Sequence, residues 1–243
     1  MQTGNANYYE VSIILPVYNG SRLLEKHLTP FLAWLDSRPY TTQVILVDDG
    51  SPDQLLTAAY ARKHGLTFHG LAGNKGKGAA LKEGFGHANG AIRLFTDADI
   101  PFQYRNIEDL IKNLQKDPGQ LIIGDRTAPA SDYFEKTSYL RNWGSNLVSA
   151  LVNLFFVKDV RDTQCGLKGM GKEVALHLFS DSRIERFAID IELIYLARKK
   201  NIPIVRIPVQ LRYNDKSSIK VAKDGLRLLW DIYRIKRIHG KYR

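Results

Sequence analysis

The stretch AIRLFTDADIPF, residues 91–102, decides how the chain is read. An apolar run ending at Phe95 gives way to Asp97 and Asp99, two carboxylates spaced i, i+2, and then to Pro101. In an extended strand those two positions share a face, so the pair converges if the extension persists beyond Phe95. Same-side carboxylates repel unless a cation lies between them, and a hard divalent ion that takes carboxylate and phosphate oxygens suits that geometry. The alternative is an ordinary strand exit, with Asp97 capping a turn and Asp99 leading into a proline loop.

The segments upstream repeat the same pattern. Val11 to Val17 (VSIILPV) is nearly all apolar, as in a strand buried on both faces, and it exits through Pro16-Val17-Tyr18-Asn19-Gly20. Ser21 is placed to cap a helix reaching about Asp36. Val44 to Val47 is a second buried strand that exits through DDGSPD, where Ser51 followed by Pro52 predicts a helix cap and first helical position. A short strand, Leu66 to Leu71, leads to Gly73-Asn74-Lys75-Gly76-Lys77-Gly78 and a helix from Ala79 to Ala88. Alternating strands and helices predict an α/β, Rossmann-like, mostly parallel sheet flanked by helices, with the polar strand exits along one edge. Open sheets of this kind take their ligands at that edge.

Past Pro101 the pattern predicts a helix near Asn106 to Gln115 and a strand from Leu121 to Gly124. The polar stretch from Thr127 to Ser138, after Asp125-Arg126, is a candidate lid or acceptor loop. A helix from Leu140 to Phe156 follows, and then DTQCGLKGMG (residues 162–171), which is too glycine-rich for a helix. A helix from Ile189 to Lys200 precedes an apolar strand, Ile202 to Val209, whose prolines suggest an edge. Val221 to His239 projects as a helix with Lys223, Asp224, Arg227, Asp231 and Arg234 on one arc, and Val221, Leu226, Leu228, Leu229, Ile232, Tyr233 and Ile235 on the remainder. That helix either packs on the domain or lies on anionic lipid.

The 243 residues, 44% hydrophobic and 25% charged, suit one globular domain. A single cysteine, Cys165, excludes an internal disulfide and fits a reducing compartment. No signal-peptide pattern opens the chain and no stretch of about 18 apolar residues occurs, so a soluble, cytoplasmic protein is expected. Of the net charge of +10, the segment from Arg212 to Arg243 carries +7, from ten Lys or Arg against Asp215, Asp224 and Asp231. Such a tail suits an anionic membrane surface or a phosphorylated substrate, and nucleic acid is the weakest of its possible partners. The glycine turn does not match the Walker pattern, which argues against an ATPase.

PVYNG, VDDGSPD, NKGKGAAL and FTDADIPF, in that order, resemble the inverting glycosyltransferases of family 2, which have a GT-A fold. GDR before a long loop, DTQCGLKG, FAIDIELIYLA and a late SSIK narrow the resemblance to the branch that glycosylates polyprenyl phosphates, and DTQCG looks more like the glucosyl than the mannosyl type. The resemblance implies transfer of a hexose, glucose favoured, from a nucleotide sugar, UDP-glucose favoured, to a polyprenyl or dolichyl phosphate. The alternatives are a sugar or protein acceptor, or GDP-mannose as donor. It implies a domain over 1–243, with a donor half to about 105, an acceptor half to about 220 and a basic amphipathic tail.

The resemblance also implies Mg2+ or Mn2+ on Asp97 and Asp99, with Gln103 a further candidate because Pro101 stands where relatives carry a glutamine. The implied donor site comprises Pro16, Tyr18, Asn19, Asp48, Asp49, Gly76, Lys77, Asp97 and Ala98. Tyr18 offers a ring for the base, Asp49 a carboxylate for a base N–H, and the Gly76-Lys77-Gly78 turn backbone N–H groups and a cation for phosphate. Arg126, Arg141, Lys168, Arg212 and Lys220 are the candidate acceptor-phosphate cations. Arg126 joins Asp97, Asp99 and Asp190 as a catalytic candidate, Asp190 as base or supporting carboxylate with Glu192 behind it. An acceptor monophosphate, with a second pKa near 6, needs little help from a base. Docking at a membrane would then fall to the basic tail and the loop after Arg126. The sequence is silent on oligomeric state.

Overall fold

A computed structural model describes residues 9–132, 160, 162–212 and 221–240. Its seven strands form one sheet in the order β3-β2-β1-β4-β6-β5-β7. β1 (Val11–Val17), β2 (Thr42–Asp48), β3 (Thr67–Gly70) and β4 (Ile92–Phe95) run parallel, as the apolar runs predict. Val17 aligns with Asp48, and Asp48 with Gly70, so the polar exits do line up along one sheet edge.

Two features depart from expectation. β6 (Lys168–Gly171) lies between β4 and β5 (Leu121–Asp125) and runs antiparallel to both, so the sheet is mixed. Its glycines hid it: a Cβ on Gly169 would sit 2.4 Å from Leu110 Cδ2, and one on Gly171 would sit 2.4 Å from the Pro118 carbonyl oxygen. These residues are small because neighbouring chain packs on them, whatever the strand propensity of glycine. β7 (Ile204–Pro208) closes the sheet at the predicted edge.

The second departure concerns helix starts. The first helical run is α1 (Ser21–Leu23), a π-helical stretch over Leu24–Leu28, and α2 (Thr29–Asp36). Ser21 does not cap it, because its hydroxyl donates to Asp53 Oδ2 at 2.5 Å. Nor does Ser51 cap α3, which begins at Gln54 and ends at Lys63; the Ser51 hydroxyl accepts the Asn19 N–H at 2.9 Å. Both serines tie the exits of β1 and β2 together instead of starting helices.

α4 (Lys77–His87), α6 (Lys172–Asp181) and α7 (Ile189–Lys199) cover one face of the sheet around Ile14, Val47, Phe95 and Tyr195. α1, α2 and α5 (Tyr104–Lys116) cover the other around Ile13, Leu15, Phe31 and Leu110. The alternation of Ile13, Ile14 and Leu15 between the two cores is the period of a doubly covered strand. The expected helix from 140 to 156 lies outside the described residues.

α8 (Val221–His239) packs on the domain through Ile232 and Ile235, which join the α7-side core. Its end is held by Glu192, a fully buried carboxylate 2.7 Å from His239 Nε2, and by the Tyr195 hydroxyl, which donates to the Gly240 carbonyl. The predicted arcs need correction. Asp231, from the charged arc, is buried under the helix, whereas Leu229 and Tyr233, from the apolar arc, are exposed with Trp230. No described helix is long and apolar enough to cross a membrane.

Candidate active site

The exits of β1, β2 and β4 meet where α4 begins. Asn19 takes a left-handed φ of 50° beside Tyr18, whose ring is half exposed. Pro16 sits opposite Val47 in the sheet. Asp48 is fully buried; its Oδ1 accepts the Ser51 N–H at 2.7 Å, and its Oδ2 has no partner among the described residues. An unpaired buried carboxylate oxygen at a strand exit is costly unless something else comes to it.

Asp49 spends both oxygens on the glycine turn. They accept the backbone N–H groups of Lys75 and Gly76, each at 2.8 Å. The Gly76 N–H is therefore engaged by Asp49 and is not directed at a phosphate as expected. Gly76 itself has φ 111°, and a Cβ there would lie 2.6 Å from the Glu185 carbonyl oxygen, so only glycine fits. Asp49 thereby fixes where α4 starts and where Lys77 points.

Lys77 points inward. Its ammonium lies 3.2 Å from Asp97 Oδ1 and 3.2 Å from Asp190 Oδ2. Asp190, on the first turn of α7, meets Lys168 Nζ at 2.5 Å through its other oxygen. The Phe95 ring lies 5.4 Å from one ammonium and 5.8 Å from the other. The result is an ionic chain, Asp97–Lys77–Asp190–Lys168, running from half-exposed Asp97 at the sheet edge into the core. Burial alone would push Asp190 up, but Lys168 and then Lys77 outweigh it and hold the carboxyl below the ordinary range. Burial likewise disfavours the Lys77 cation, and Asp190 and Asp97 together raise its pKa above the usual lysine value.

This arrangement corrects the Lys168 assignment and favours one of the two readings of Asp190. Lys168 is fully buried and spends its ammonium on Asp190 and on the Thr163 and Cys165 carbonyls, so it does not reach an acceptor phosphate. It instead holds the DTQCG segment against α7. Asp190 has both oxygens on ammonium groups and a depressed pKa, which makes it a poor base and suits it to positioning Lys77. Glu192 is also spoken for: its oxygens accept the N–H groups of Arg183 and Ile184, each at 2.9 Å.

The expected strand geometry of Asp97 and Asp99 does not hold either. β4 ends at Phe95, and the Ile100 N–H bonds back to the Asp97 carbonyl at 2.9 Å, closing a turn through Ala98 and Asp99. Ile100, a β-branched residue, sits at φ 46°, a strain that costs on the order of 1–3 kcal/mol. The metal question thus rests on this turn. Asp97 is 47% exposed, and its Oδ2 faces Gly166, where a Cβ would come within 2.2 Å. The space beside Asp97 is kept by the absence of a side chain, and the donors are hard oxygens, so the residues fit a divalent ion.

The remaining candidates lie around this centre. Arg126 forms a two-pronged pair with buried Asp162, Nε to Oδ2 at 2.7 Å and Nη2 to Oδ1 at 2.8 Å. Arg212 lies over the Tyr104 ring at 4.1 Å, and its N–H bonds the Pro101 carbonyl, which places it beside the Asp99 turn. Gln103 is exposed at the start of α5, with its N–H on the Gln210 carbonyl. Arg141 and Lys220 lie outside the described residues. Cys165, its thiol pushed up to about 12 by burial and then by Asp162, is an inert packing residue. Sequence reading missed Asp162 as the partner of Arg126 and Gly166 as the space beside Asp97, although both sit in the DTQCG motif that drew notice.

The pattern of glycosyl transferase family 2 matches residues 12–179. The dolichyl-phosphate beta-glucosyltransferase of Dictyostelium discoideum is 31% identical over 240 residues, covering 93% of this chain and 73% of the relative. Its Drosophila melanogaster counterpart is 34% identical over 242 residues, covering 93% and 74%. Among solved structures, glucosyl-3-phosphoglycerate synthase from Mycobacterium tuberculosis, in complex with Mn2+, uridine diphosphate and glucosyl-3-phosphoglycerate, superposes with a TM-score of 0.70 at 14% identity, over 93% of this chain and 80% of that one. At that identity the likeness is one of fold.

Proposed function

The chain belongs to glycosyl transferase family 2 and is a glycosyltransferase, and on that premise we propose that it moves glucose from UDP-glucose to a polyprenyl phosphate. The observation that carries the reading is the ionic chain from Asp97 through Lys77 and Asp190 to Lys168, which sets a fixed charge pattern where the strand exits meet the start of α4. The two glucosyltransferase relatives favour glucose and a dolichyl-type acceptor.

In the proposed reaction an acceptor phosphate oxygen forms the bond to the anomeric carbon as the bond to the uridine diphosphate oxygen breaks, with inversion. The acceptor monophosphate, with a second pKa near 6, attacks as the ionised species, and no base has to take a proton. A depressed Asp190 fits a mechanism without a base. Tyr18 would stack on the uracil, and Asp48 would supply its unpaired oxygen to a donor N–H or hydroxyl. Pro16, Asn19 and Ala98 would shape the backbone around the donor. Asp97 and Asp99 would hold Mg2+ or Mn2+, which would neutralise charge on the leaving diphosphate. Lys77, already on Asp97, adds a fixed positive charge beside the same group. Arg126, oriented by Asp162, and Arg212 would steady the acceptor phosphate. A lipid acceptor would bring the protein to a membrane surface, here proposed to be the cytoplasmic face.

The test is a donor screen against polyprenyl phosphate, with magnesium or manganese and then with chelator. Metal-dependent transfer from UDP-glucose is expected. Preference for GDP-mannose would overturn the donor, and donor hydrolysis with no lipid product would overturn the acceptor.

A further inference from the structure

α8 packs one side on the domain, and among the described residues nothing covers the other. Its outer face carries Leu229, Trp230 and Tyr233, of which Trp230 is 61% exposed and Tyr233 54%, with their rings 5.6 Å apart. Arg234 and Arg227 flank this stripe on one side of the helix and Lys236 on the other, and the exposed Arg237 projects between Trp230 and Tyr233. Aromatic rings interleaved and bordered with cations suit the boundary between water and acyl chains, since Trp and Tyr are amphipathic and arginine seeks headgroup phosphate.

The margin also encloses a cavity. Arg227, Trp230 and Arg234 of α8 and Arg186, from the loop before α7, line a depression of about 280 Å³ whose floor is Asp231. Three guanidiniums against one carboxylate leave two positive charges there. Asp231 lies 3.5 Å from Arg234 Nη1 and orients that fork. Arg186 connects the cavity to the catalytic centre, because its Cα and Cγ lie about where a side chain on Gly76 would go, 3.0 Å from the ideal Cβ. Through Arg186 the cavity therefore backs onto the glycine turn at the start of α4.

We propose that Arg186, Arg227 and Arg234 form a headgroup pocket for an anionic bilayer phospholipid, with Trp230 and Tyr233 set into the interface beside it. The proposal deepens the lipid-acceptor reading and rests on it for its purpose: a headgroup held here seats the Lys77 end of the site at the surface where such an acceptor lies. The occupant is a bilayer lipid, because a soluble phosphate would leave the adjoining aromatic stripe in water. Charge complementarity supplies the selectivity.

The experiment uses the full chain and vesicles free of polyprenyl phosphate. Co-sedimentation is measured with phosphatidylcholine alone and with equal parts phosphatidylcholine and phosphatidylglycerol. Binding is expected to the anionic vesicles only, and to fall as salt rises. Arg227→Gln with Arg234→Gln should weaken it about 25-fold, roughly fivefold per charge removed. Trp230→Ala with Tyr233→Ala should weaken it as well. Transfer to a short, detergent-soluble polyprenyl phosphate should be unchanged in the arginine pair. Arg227→Gln alone leaves the Asp231–Arg234 pair intact and should still lose about fivefold, which guards against misfolding of the double variant.

Unchanged vesicle binding by the arginine pair, or equal binding to neutral and anionic vesicles, would overturn the pocket. So would release by millimolar glycerophosphate, which would make it a site for free phosphate. Loss of transfer to the soluble acceptor would overturn it too, by assigning the arginines to the acceptor. Vesicle binding as expected with no transfer to any polyprenyl phosphate would uphold the pocket and overturn the proposed reaction.

Discussion

Lys77 and Lys168 carry the same charge as Arg227 and Arg234, in settings that give it opposite uses. The lysines are 11% and 0% exposed and are consumed by Asp97 and Asp190. The arginines border open water on α8, and Arg234 is 46% exposed. A buried cation is bound to its partner, since removing either leaves an uncompensated charge in the core. An exposed one contributes little to folding and stays available to a ligand. Position in the fold, more than residue type, separates the cations that build this site from those that can recognise something outside it.

The sharpest way to strain that comparison is at Asp99, which lies in the turn and outside the ionic chain. Asp99→Asn is expected to cut turnover at saturating metal by about 1,000-fold, equivalent to roughly 4 kcal/mol of transition-state stabilisation, in a chain that still folds. A transfer assay beside a thermal melt reads both. Near-normal turnover would remove Asp99 from metal binding; a large loss of stability would make the turn structural.

Lys168→Met inverts the pattern. It removes one partner of a buried pair and should destabilise the fold by about 3–5 kcal/mol in a denaturant titration. Because Asp190 keeps Lys77, the variant should also show a weaker hold on Asp97, read as a raised requirement for metal or donor in whatever fraction remains folded. A cost under about 1 kcal/mol would place Lys168 with the surface cations.

Acid separates the two groups without mutation. The Asp190 carboxyl is depressed in the folded state, so its stabilisation is complete above the ordinary carboxylate pKa and is lost as pH falls through the lower folded value. Stability should therefore decline below about pH 4, where unfolded aspartate takes up its proton. Asp190→Asn should flatten that decline. Equal acid profiles for Asp190→Asn and the parent chain would show that other carboxylates carry the effect.

The parallel half of the sheet was legible because its signals are local. β1, β2 and β4 are short apolar runs, and each ends in polar residues that mark the active edge. What the sequence hid depends on residues far along the chain. β6 reads as loop because Gly169 and Gly171 answer to Leu110 and Pro118. Ser21 and Ser51 look like caps until Asp53 and Asn19 claim them. The turn after Phe95 needs a left-handed residue, and nothing about Ile100 announces one. Lys168 looked like a phosphate ligand because its spacing from DTQCG says nothing of Asp190, which comes 22 residues later. Types of residue at the site could be read off; their partners could not.

The smallest expected effect tests the other side of the comparison. Arg234 pairs with Asp231 within one turn of α8, at 3.5 Å and with nearly half of its side chain in water. Pairs of that kind contribute about 0–1 kcal/mol. Burial raises the Asp231 carboxyl and Arg234 only partly offsets this, so loss of the arginine lets Asp231 protonate more readily instead of stranding a charge. Arg234→Gln should then change unfolding stability by no more than about 0.5 kcal/mol, the range of an ordinary surface substitution. A denaturant titration beside that of Lys168→Met would show it. Should Arg234→Gln cost several times more, Arg234 would be part of the frame that holds α8 on the domain, and its freedom to meet a headgroup would be gone.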